Sequence, residues 1–375
     1  MSVKLPKIKK IFSKIQKNQI KIKSSIIIST LLASLAISTS YSASNYEPGY
    51  GINDDQLMKA YNASGRVNVS RDWGFFTGGN FLYLQTAQEG MELAEKTRLE
   101  NGLRGVRDDI VQEFGWDPAF KLHFGWAMGR DQWSLYTEYF YFHATDTTTD
   151  SASLENNEYL NMSTLFGNSL NNADYVLTGV YINSHWKIDG NFLDLNLTRP
   201  FYNSKQIILK PILGLRAAWL DQKVSGYWLE TNQTLHLPTL IKSDSFGIGP
   251  KFSLNGKWLL SRSFSLLGDL TASVLHTHYR LKKETHDYVT AAFPVYVYNV
   301  HREVHFLRAA LETEIGLNWG SYYANRGWHF DLGLTYIFNV YLSQNMISNY
   351  YNQLTNTGAG DLYLHGINLK LLFNF

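Results

Sequence analysis

Fourteen ionisable side chains sit inside apolar stretches at alternating positions: Lys121, His123, Glu138, Asp194, Lys210, Arg216, Lys251, Asp269, Arg308, Glu312, Glu314, His329, Asp331 and Lys370. They comprise six carboxylates, six permanent cations and two histidines. Such a set could stay hydrated on the wall of an aqueous pore, or pair into salt bridges that plug one. A second group could suggest hydrolysis: His143 with Asp146, or His276, His278, His286 and Asp287. Hydrolysis needs a base within hydrogen-bond reach of a nucleophile, often held by a third group. No motif accompanies these histidines, so they read as polar groups at an interface. The chain holds no cysteine, which removes thiolate metal sites, disulfides and cysteine nucleophiles together. Glycine-rich phosphate loops and metal-ligand clusters are also missing, so neither catalytic residues, a metal nor a cofactor is expected.

The positions of the charges dictate the elements. From Phe246, the residues Ile248, Pro250, Phe252, Leu254 and Trp258 alternate with Gly247, Gly249, Lys251, Ser253, Asn255 and Lys257. From Leu307, the set Leu311, Ile315, Leu317 and Trp319 alternates with Arg308, Glu312, Glu314 and Asn318. Trp328, Phe330, Leu332, Leu334 and Tyr336 alternate with His329, Asp331, Gly333 and Thr335. A helix would mix these faces, whereas a strand separates them. The same pattern predicts ten strands: Trp73–Thr86, Asp117–Met128, Trp133–Ala144, His185–Arg199, Lys205–Lys223, Asp244–Trp258, Ser263–Tyr279, Phe306–Trp319, Trp328–Leu342 and Leu362–Phe375. Most exceed the ~5–6 residues of soluble strands and suffice for the ~9–11 of a transmembrane strand. The count becomes twelve if Asp174–Tyr181 and Val224–His236 pair as well.

Short turns (Gly129–Gln132, Pro200–Ser204, Leu259–Arg262, Gly320–Gly327) alternate with long connections (Ala87–Trp116, Thr145–Ser184, Val224–Ser243, Arg280–His305, Ser343–Asp361). Bacterial outer-membrane barrels have short periplasmic turns and long outer loops. An open sheet edge in lipid leaves backbone groups unsatisfied, so the first strand must pair with the last. The expected fold is therefore all-β, a closed antiparallel transmembrane barrel with both termini periplasmic. Trp73, Trp126, Trp133, Trp186, Trp219, Trp258, Trp319, Trp328 and Phe375 fall at strand ends, where indole and phenyl rings form interfacial girdles. Putting Arg or Lys on the lipid face at mid-membrane would cost ~2–4 kcal/mol, which assigns the charged set to the interior.

The first 23 residues carry eight lysines and no acid, followed by an apolar run from Ile26 to Ile37 and small residues to Ser44. This reads as a signal peptide over 1–44. Residues 45–71 then form a periplasmic or lumen-entering segment, and 72–375 the barrel. Without those lysines, 26 basic residues face 32 acidic ones, a net of −6, so the pI of 8.4 belongs to the precursor. Nucleic acid loses its electrostatic attraction. The apolar run is too short for the ~20 residues of a spanning helix.

The stretches "WKIDGNFLDLNLTRPFY" (186–202) and "KPILGLRAAWLDQK" (210–223) resemble the pore-forming major outer membrane proteins of Legionella and environmental chlamydiae. "FFTGGNFLYLQTAQEGMELA" (75–94), "WSLYTEYFYFHATDT" (133–147) and the ending "GDLYLHGINLKLLFNF" (360–375) extend the likeness to most of the chain. The resemblance implies an outer-membrane porin, compatible with a homo-oligomer, and brings no catalytic residues. Cysteine cross-linking, typical of classical chlamydial relatives, is not implied here. The C-terminal strand ending in Phe375 resembles the signal read by the barrel-assembly machinery. The expected function is passive diffusion of small hydrophilic solutes, with the bilayer as the main partner. The alternative is a closed structural or adhesin barrel that presents long loops. Ten strands lie near the size at which side chains fill the interior, so any pore should be narrow.

Overall fold

The computed structural model describes residues 67, 69, 74–100, 103–128, 132–162, 178–230, 236–261, 263–287, 296–347 and 359–375. Fourteen strands occur among them: β1 (Phe75–Gln88), β2 (Glu92–Glu100), β3 (Leu103–Val111), β4 (Trp116–Ala127), β5 (Ser134–Ser151), β6 (Glu158–Met162), β7 (Thr178–Thr198), β8 (Tyr202–Asn203), β9 (Ile207–Glu230), β10 (His236–Leu259), β11 (Phe264–Asp287), β12 (Tyr296–Tyr323), β13 (Trp328–Asn345) and β14 (Gly360–Asn374). Ten of them close a ring in the order β1–β4–β5–β7–β9–β10–β11–β12–β13–β14, and every neighbouring pair is antiparallel. Closure is made by β14 on β1, from Phe76 opposite Asn374 to Gln88 opposite Leu362. No sheet edge is then left within the hydrocarbon, as lipid requires. The barrel's first and last strands begin and end at the same rim, the one that carries the short turns; we name it the turn end, and the opposite rim the loop end.

All ten strands expected from the alternation are the ring strands. Residues 178–181, 224–230 and 236 lengthen β7, β9 and β10 instead of adding two more strands. The loop-end connections are more ordered than their sequence suggests. Strands β9 to β12 continue as a tall sheet of 24 to 28 residues each, and the first connection folds into the β2–β3 hairpin. That hairpin joins the ring through β6, which bridges β2 and β7. Beyond the bilayer both sheet faces meet water or protein, so period-two contrast fades there. The segment Tyr288–Val300 is described only from 296, where it pairs with β11 and so lengthens the hairpin.

Alternation sorts the faces as hydrocarbon demands. Phe81, Leu122, Phe124, Leu213, Leu215, Ile248, Phe252, Ile315, Leu317, Leu334 and Ile367 are exposed on the outside, although apolar. In water such a belt would be an aggregation surface, whereas in a bilayer it is solvated. Trp126, Trp219, Trp258 and Phe375 are exposed outward, and Trp319 and Trp328 are half-buried on the same face. Trp133 is half-buried beside Arg199, whose guanidinium lies 5.8 Å from the ring centre. Trp73 lies outside the described residues. Trp186 departs from its expected place: it is fully buried inside the barrel, since β7 extends past it and its parity points inward. Trp228, expected in a loop, is buried in β9 for the same reason.

Candidate functional site

Inward-facing parity brings all fourteen expected side chains to the lumen face, contributed by nine of the ten ring strands. They are not dispersed along a wall. Most gather into four contact groups in the turn-end and middle thirds.

The central group is built on Arg216 from β9. Its Nε and Nη2 donate to Asp194 Oδ1 and Oδ2 at 2.8 Å each, a bidentate fork. Its other edge donates to Glu312 of β12, Nη2 to Oε2 at 3.2 Å and Nη1 to Oε1. Lys251 Nζ donates to Asp194 Oδ2 at 2.6 Å, and Tyr341 Oη donates to Glu312 Oε1 at 3.3 Å. Arg216 and Asp194 are 3% and 1% exposed, so these charges are matched against one another rather than against water.

Toward β4 and β5, Glu138 lies 3.1 Å from His123 Nδ1 and 3.8 Å from Lys121 Nζ, while His123 Nε2 and Asn80 Oδ1 are 3.0 Å apart. A third group has Lys370 Nζ 2.5 Å from Glu314 and 3.6 Å from Asp269. Glu314 also accepts from Thr335 and Asn368, and Asp269 from Asn255. The fourth group, nearest the turn end, sets Asp331 against His329 at 3.1 Å, Lys257 at 3.8 Å and Asn318 Nδ2 at 2.8 Å. Arg308 stands apart from the four, higher in the lumen. Its Nε donates to Tyr279 Oη at 3.1 Å, and its guanidinium lies 4.5 Å from the Phe306 ring centre.

Two cavities of about 300 Å³ each occupy the lower lumen. One is lined by Lys121, Lys210, Lys251, Asp269, Glu312 and Lys370; the other, at the rim, by Val67, Ser134, Lys210, Lys257, Asp331 and Phe375. Their common walls include Lys210, Asn255, Tyr136 and Lys370, so they form one charged vestibule at the turn end.

Above the central ions the lining changes. Phe140, Phe142, Phe192 and Tyr341 form an aromatic layer with ring centres 5.3–6.2 Å apart, each ring no more than 4% exposed. Arg216 lies 5.5 Å from the Phe192 ring and Lys121 4.9 Å from Phe140, so the ionic and aromatic layers are in contact. Gly190 leaves room for this layer, because a Cβ there would fall 2.1 Å from Phe142 Cε1. Further up, Leu82, Leu84, Ile182, Trp186, Ile188, Val224 and Leu364 fill the interior with at most 1% exposure. Met91 and Leu93 of the β2 region join this core from above. Some polar groups among them form a chain: Trp186 donates to Gln88 (3.2 Å) and Gln88 to Gln222 (3.1 Å). A cavity of about 10 Å³, room for one water, lies beside Phe192, Arg308 and Gln344.

Composition alone hid this plug. Its apolar members share the inward parity of the charged set, but alternation registers contrast, and strands apolar on both faces show none. Lys257 and Asn80 had the right parity and belong to the groups above. The His–Asp pairing suggested for hydrolysis is rearranged. His143 and Asp146 point to opposite sides of β5; His143 Nδ1 instead lies 2.6 Å from Asp189 Oδ1, and Asp146 accepts from the Gly115 amide at 2.9 Å. His276 and His278 face outward and stack on His305 with ring centres 5.6 and 4.4 Å apart. The side chains of His286 and Asp287 lie outside the described residues. Among the described residues no group of three or more His, Asp or Glu could hold a metal ion.

Among solved structures, the outer membrane protease OmpT of Escherichia coli is similar over 83% of this chain and 99% of its own, at 12% identity and a TM-score of 0.40. The toluene transporter TodX of Pseudomonas putida aligns over 81% and 90%, at 10% identity and a TM-score of 0.26. The attachment invasion locus protein Ail of Yersinia pestis aligns over 80% and 98%, at 11% identity and a TM-score of 0.19. No curated protein matches the chain in sequence. The model of the Legionella pneumophila major outer membrane protein precursor matches residues 68–375, the whole barrel. With its lipid-facing belt and closed ring, this chain is an outer-membrane β-barrel and belongs to the Legionella major outer membrane protein family.

Proposed function

We propose that this protein is a closed outer-membrane barrel, with a charged vestibule open at the turn end and a packed plug that supports a tall sheet at the loop end. The observation that carries the reading is the aromatic and aliphatic filling of the upper lumen, from Phe140 and Phe192 to Trp186 and Trp228. The ion pairs beneath it are mutually satisfied. Export through a leader over 1–44, with the first and last ring strands meeting at the turn end, would put the turn end in the periplasm and the tall sheet outside the cell. Residues 45–71, apart from 67 and 69, lie outside the described residues. Insertion would use the barrel-assembly machinery through the strand that ends at Phe375, whose amide donates to Phe75 O at 3.0 Å. No catalytic role is included: of the histidines considered for hydrolysis, His143 is paired with Asp189, and His276 and His278 are stacked on His305.

A second reading, passive diffusion of small hydrophilic solutes, draws support from the vestibule of lysines and carboxylates. The solute-conducting lining would be Lys121, Glu138, Asp194, Lys210, Arg216, Lys251, Asp269, Arg308, Glu312, Glu314, Asp331 and Lys370. It requires the aromatic layer to move and the Arg216 group to open. Conductance of the refolded full chain in a planar bilayer separates the two readings. Silence beside a heat-modifiable gel shift is the result expected of the closed barrel; discrete, reproducible openings would overturn it in favour of the pore.

A further inference from the structure

The outer surface above the apolar belt is ordered by register. Across β7, β9, β10 and β11, four outward lysines stand directly opposite one another: Lys187, Lys223, Lys242 and Lys282. One step toward the turn end lies a row of Asp189, Asp221, Asp244 and Arg280, and one step further Asn191, Trp219, Phe246 and His278. Trp219 and Phe246 are exposed outward with ring centres 5.2 Å apart, and they mark where the hydrocarbon-facing belt ends. From Phe246 to Trp258 the belt on β10 spans twelve residue steps, about 30 Å for a strand tilted ~40°, close to the height of a barrel's apolar band. The lysine row therefore sits at headgroup height, on the face that continues the lipid contact.

Like charges directly opposite across neighbouring strands destabilise a sheet. The carboxylate row only partly offsets this. Lys187 reaches Asp189 at 3.1 Å and Lys282 contacts Glu284, but Lys223 and Lys242 make no ion pair with any described residue. Both are exposed, and they face each other. An anion seated between them would remove the repulsion. A bare sheet face beyond the membrane would not need four lysines in one register row.

We propose that the row Lys187, Lys223, Lys242 and Lys282 binds the phosphate groups of a phosphorylated glycolipid in the leaflet around the loop end. This rests on the orientation given above, which makes that leaflet the outer one. Charge complementarity selects the phosphate, and the apolar belt two register rows below, past Asp189, Asp221, Asp244 and Arg280, selects a lipid whose acyl chains would lie along Trp219, Phe246 and Ile248.

The test uses the full chain refolded in detergent and titrated with diphosphoryl lipid A, with binding read by native mass spectrometry and by the temperature of the heat-modifiable transition. The fourfold variant Lys187→Gln/Lys223→Gln/Lys242→Gln/Lys282→Gln is expected to lose about ten-fold or more in lipid affinity. Lys205→Gln, an exposed lysine at the turn end, is expected to bind as the parent does. A fourfold Lys→Arg variant retains charge and is expected to retain binding; should the Gln variant not fold, Lys223→Gln/Lys242→Gln is compared with it instead. Unchanged affinity in the Gln variants, or equal binding of dephosphorylated lipid A, would overturn the proposal. Displacement of the lipid by equimolar inorganic phosphate would also overturn it, by assigning a free-anion site. Orientation is read separately. A membrane-impermeant maleimide should label Lys242→Cys on intact cells, and protection from label would overturn the orientation and the leaflet while leaving the binding data to be judged alone.

Discussion

At the scale of single residues the barrel depends on matching. Arg216 serves two carboxylates at once, Asp194 buried with it and Glu312 half-buried. Truncating one member of such a group leaves uncompensated charge and typically costs ~3–5 kcal/mol. Arg216→Met is expected to lower the stability of the refolded barrel by that amount in urea titrations read by tryptophan fluorescence. Glu312 is the more exposed to this loss, since Asp194 keeps Lys251. Adding Glu312→Gln to Arg216→Met should therefore recover part of it, and no recovery would show that the two charges are not coupled. Lys283 makes a second case, above the membrane near the loop end. It is 2% exposed, and burial pulls its ammonium down from 10.5 to about 7. The unfolded chain then holds this proton more tightly than the folded one. Lys283 costs no stability above pH ~10.5, an increasing amount as pH falls toward 7, and the full amount below 7. Lys283→Met should stabilise the protein at pH 7 by a few kcal/mol, of the order of the shift. The gain should shrink toward pH 10, and a pH-independent gain would mean that packing, not charge, is responsible.

Within an element, one step along a strand exchanges lipid for lumen. Leu334 is 58% exposed on the outer face of β13, and its neighbour Thr335 is buried inside, with its hydroxyl on Glu314. Leu334→Arg puts a guanidinium into hydrocarbon and is expected to cost about 2–4 kcal/mol in folding into vesicles. Spin labels at Leu311 and Leu334 should contact lipid, and labels at Glu312 and Thr335 should not; the reverse would dismantle the face assignment. The ring strands were legible because each membrane segment has a sharp apolar–polar contrast. The extensions of β9 to β12 were not, because Lys223, Lys242 and Lys282 alternate with Val224, Ile241 and Leu281 only above the membrane, where the outer face is polar and no length limit applies. Trp186 shows the same failure in one residue. An indole at the apparent end of a strand suggests a girdle, and only the continued pairing of β7 with β9 turns it inward.

For the whole molecule, closure of the ring does not run through the β2–β3 hairpin, the lid over the loop end. The β2–β3 hairpin contacts the ring through β6 and the upper core, but closure is made by β1 with β14 and β4. Replacing residues 89–112 by a short glycine-serine linker should leave a heat-modifiable barrel on gels. It should also expose Trp186, read as a red shift and faster acrylamide quenching. Loss of heat modifiability would mean that the hairpin is needed to close the barrel. The same variant refines the functional question, since conductance appearing only after the hairpin is removed would make the lid the barrier rather than the aromatic layer.

The sequence alone determined the fold class, the ten membrane strands, the lipid and lumen faces within the membrane segments and the charges that must be inside. All of these follow from one local rule, that hydrocarbon cannot solvate charge or unpaired backbone. It did not determine whether the interior conducts. That depends on how side chains from opposite strands meet across the lumen, Arg216 with Glu312 or Phe192 with Tyr341, and contacts between residues about 100 to 150 positions apart carry no periodic trace in the chain. Only closure of the ring brings them together.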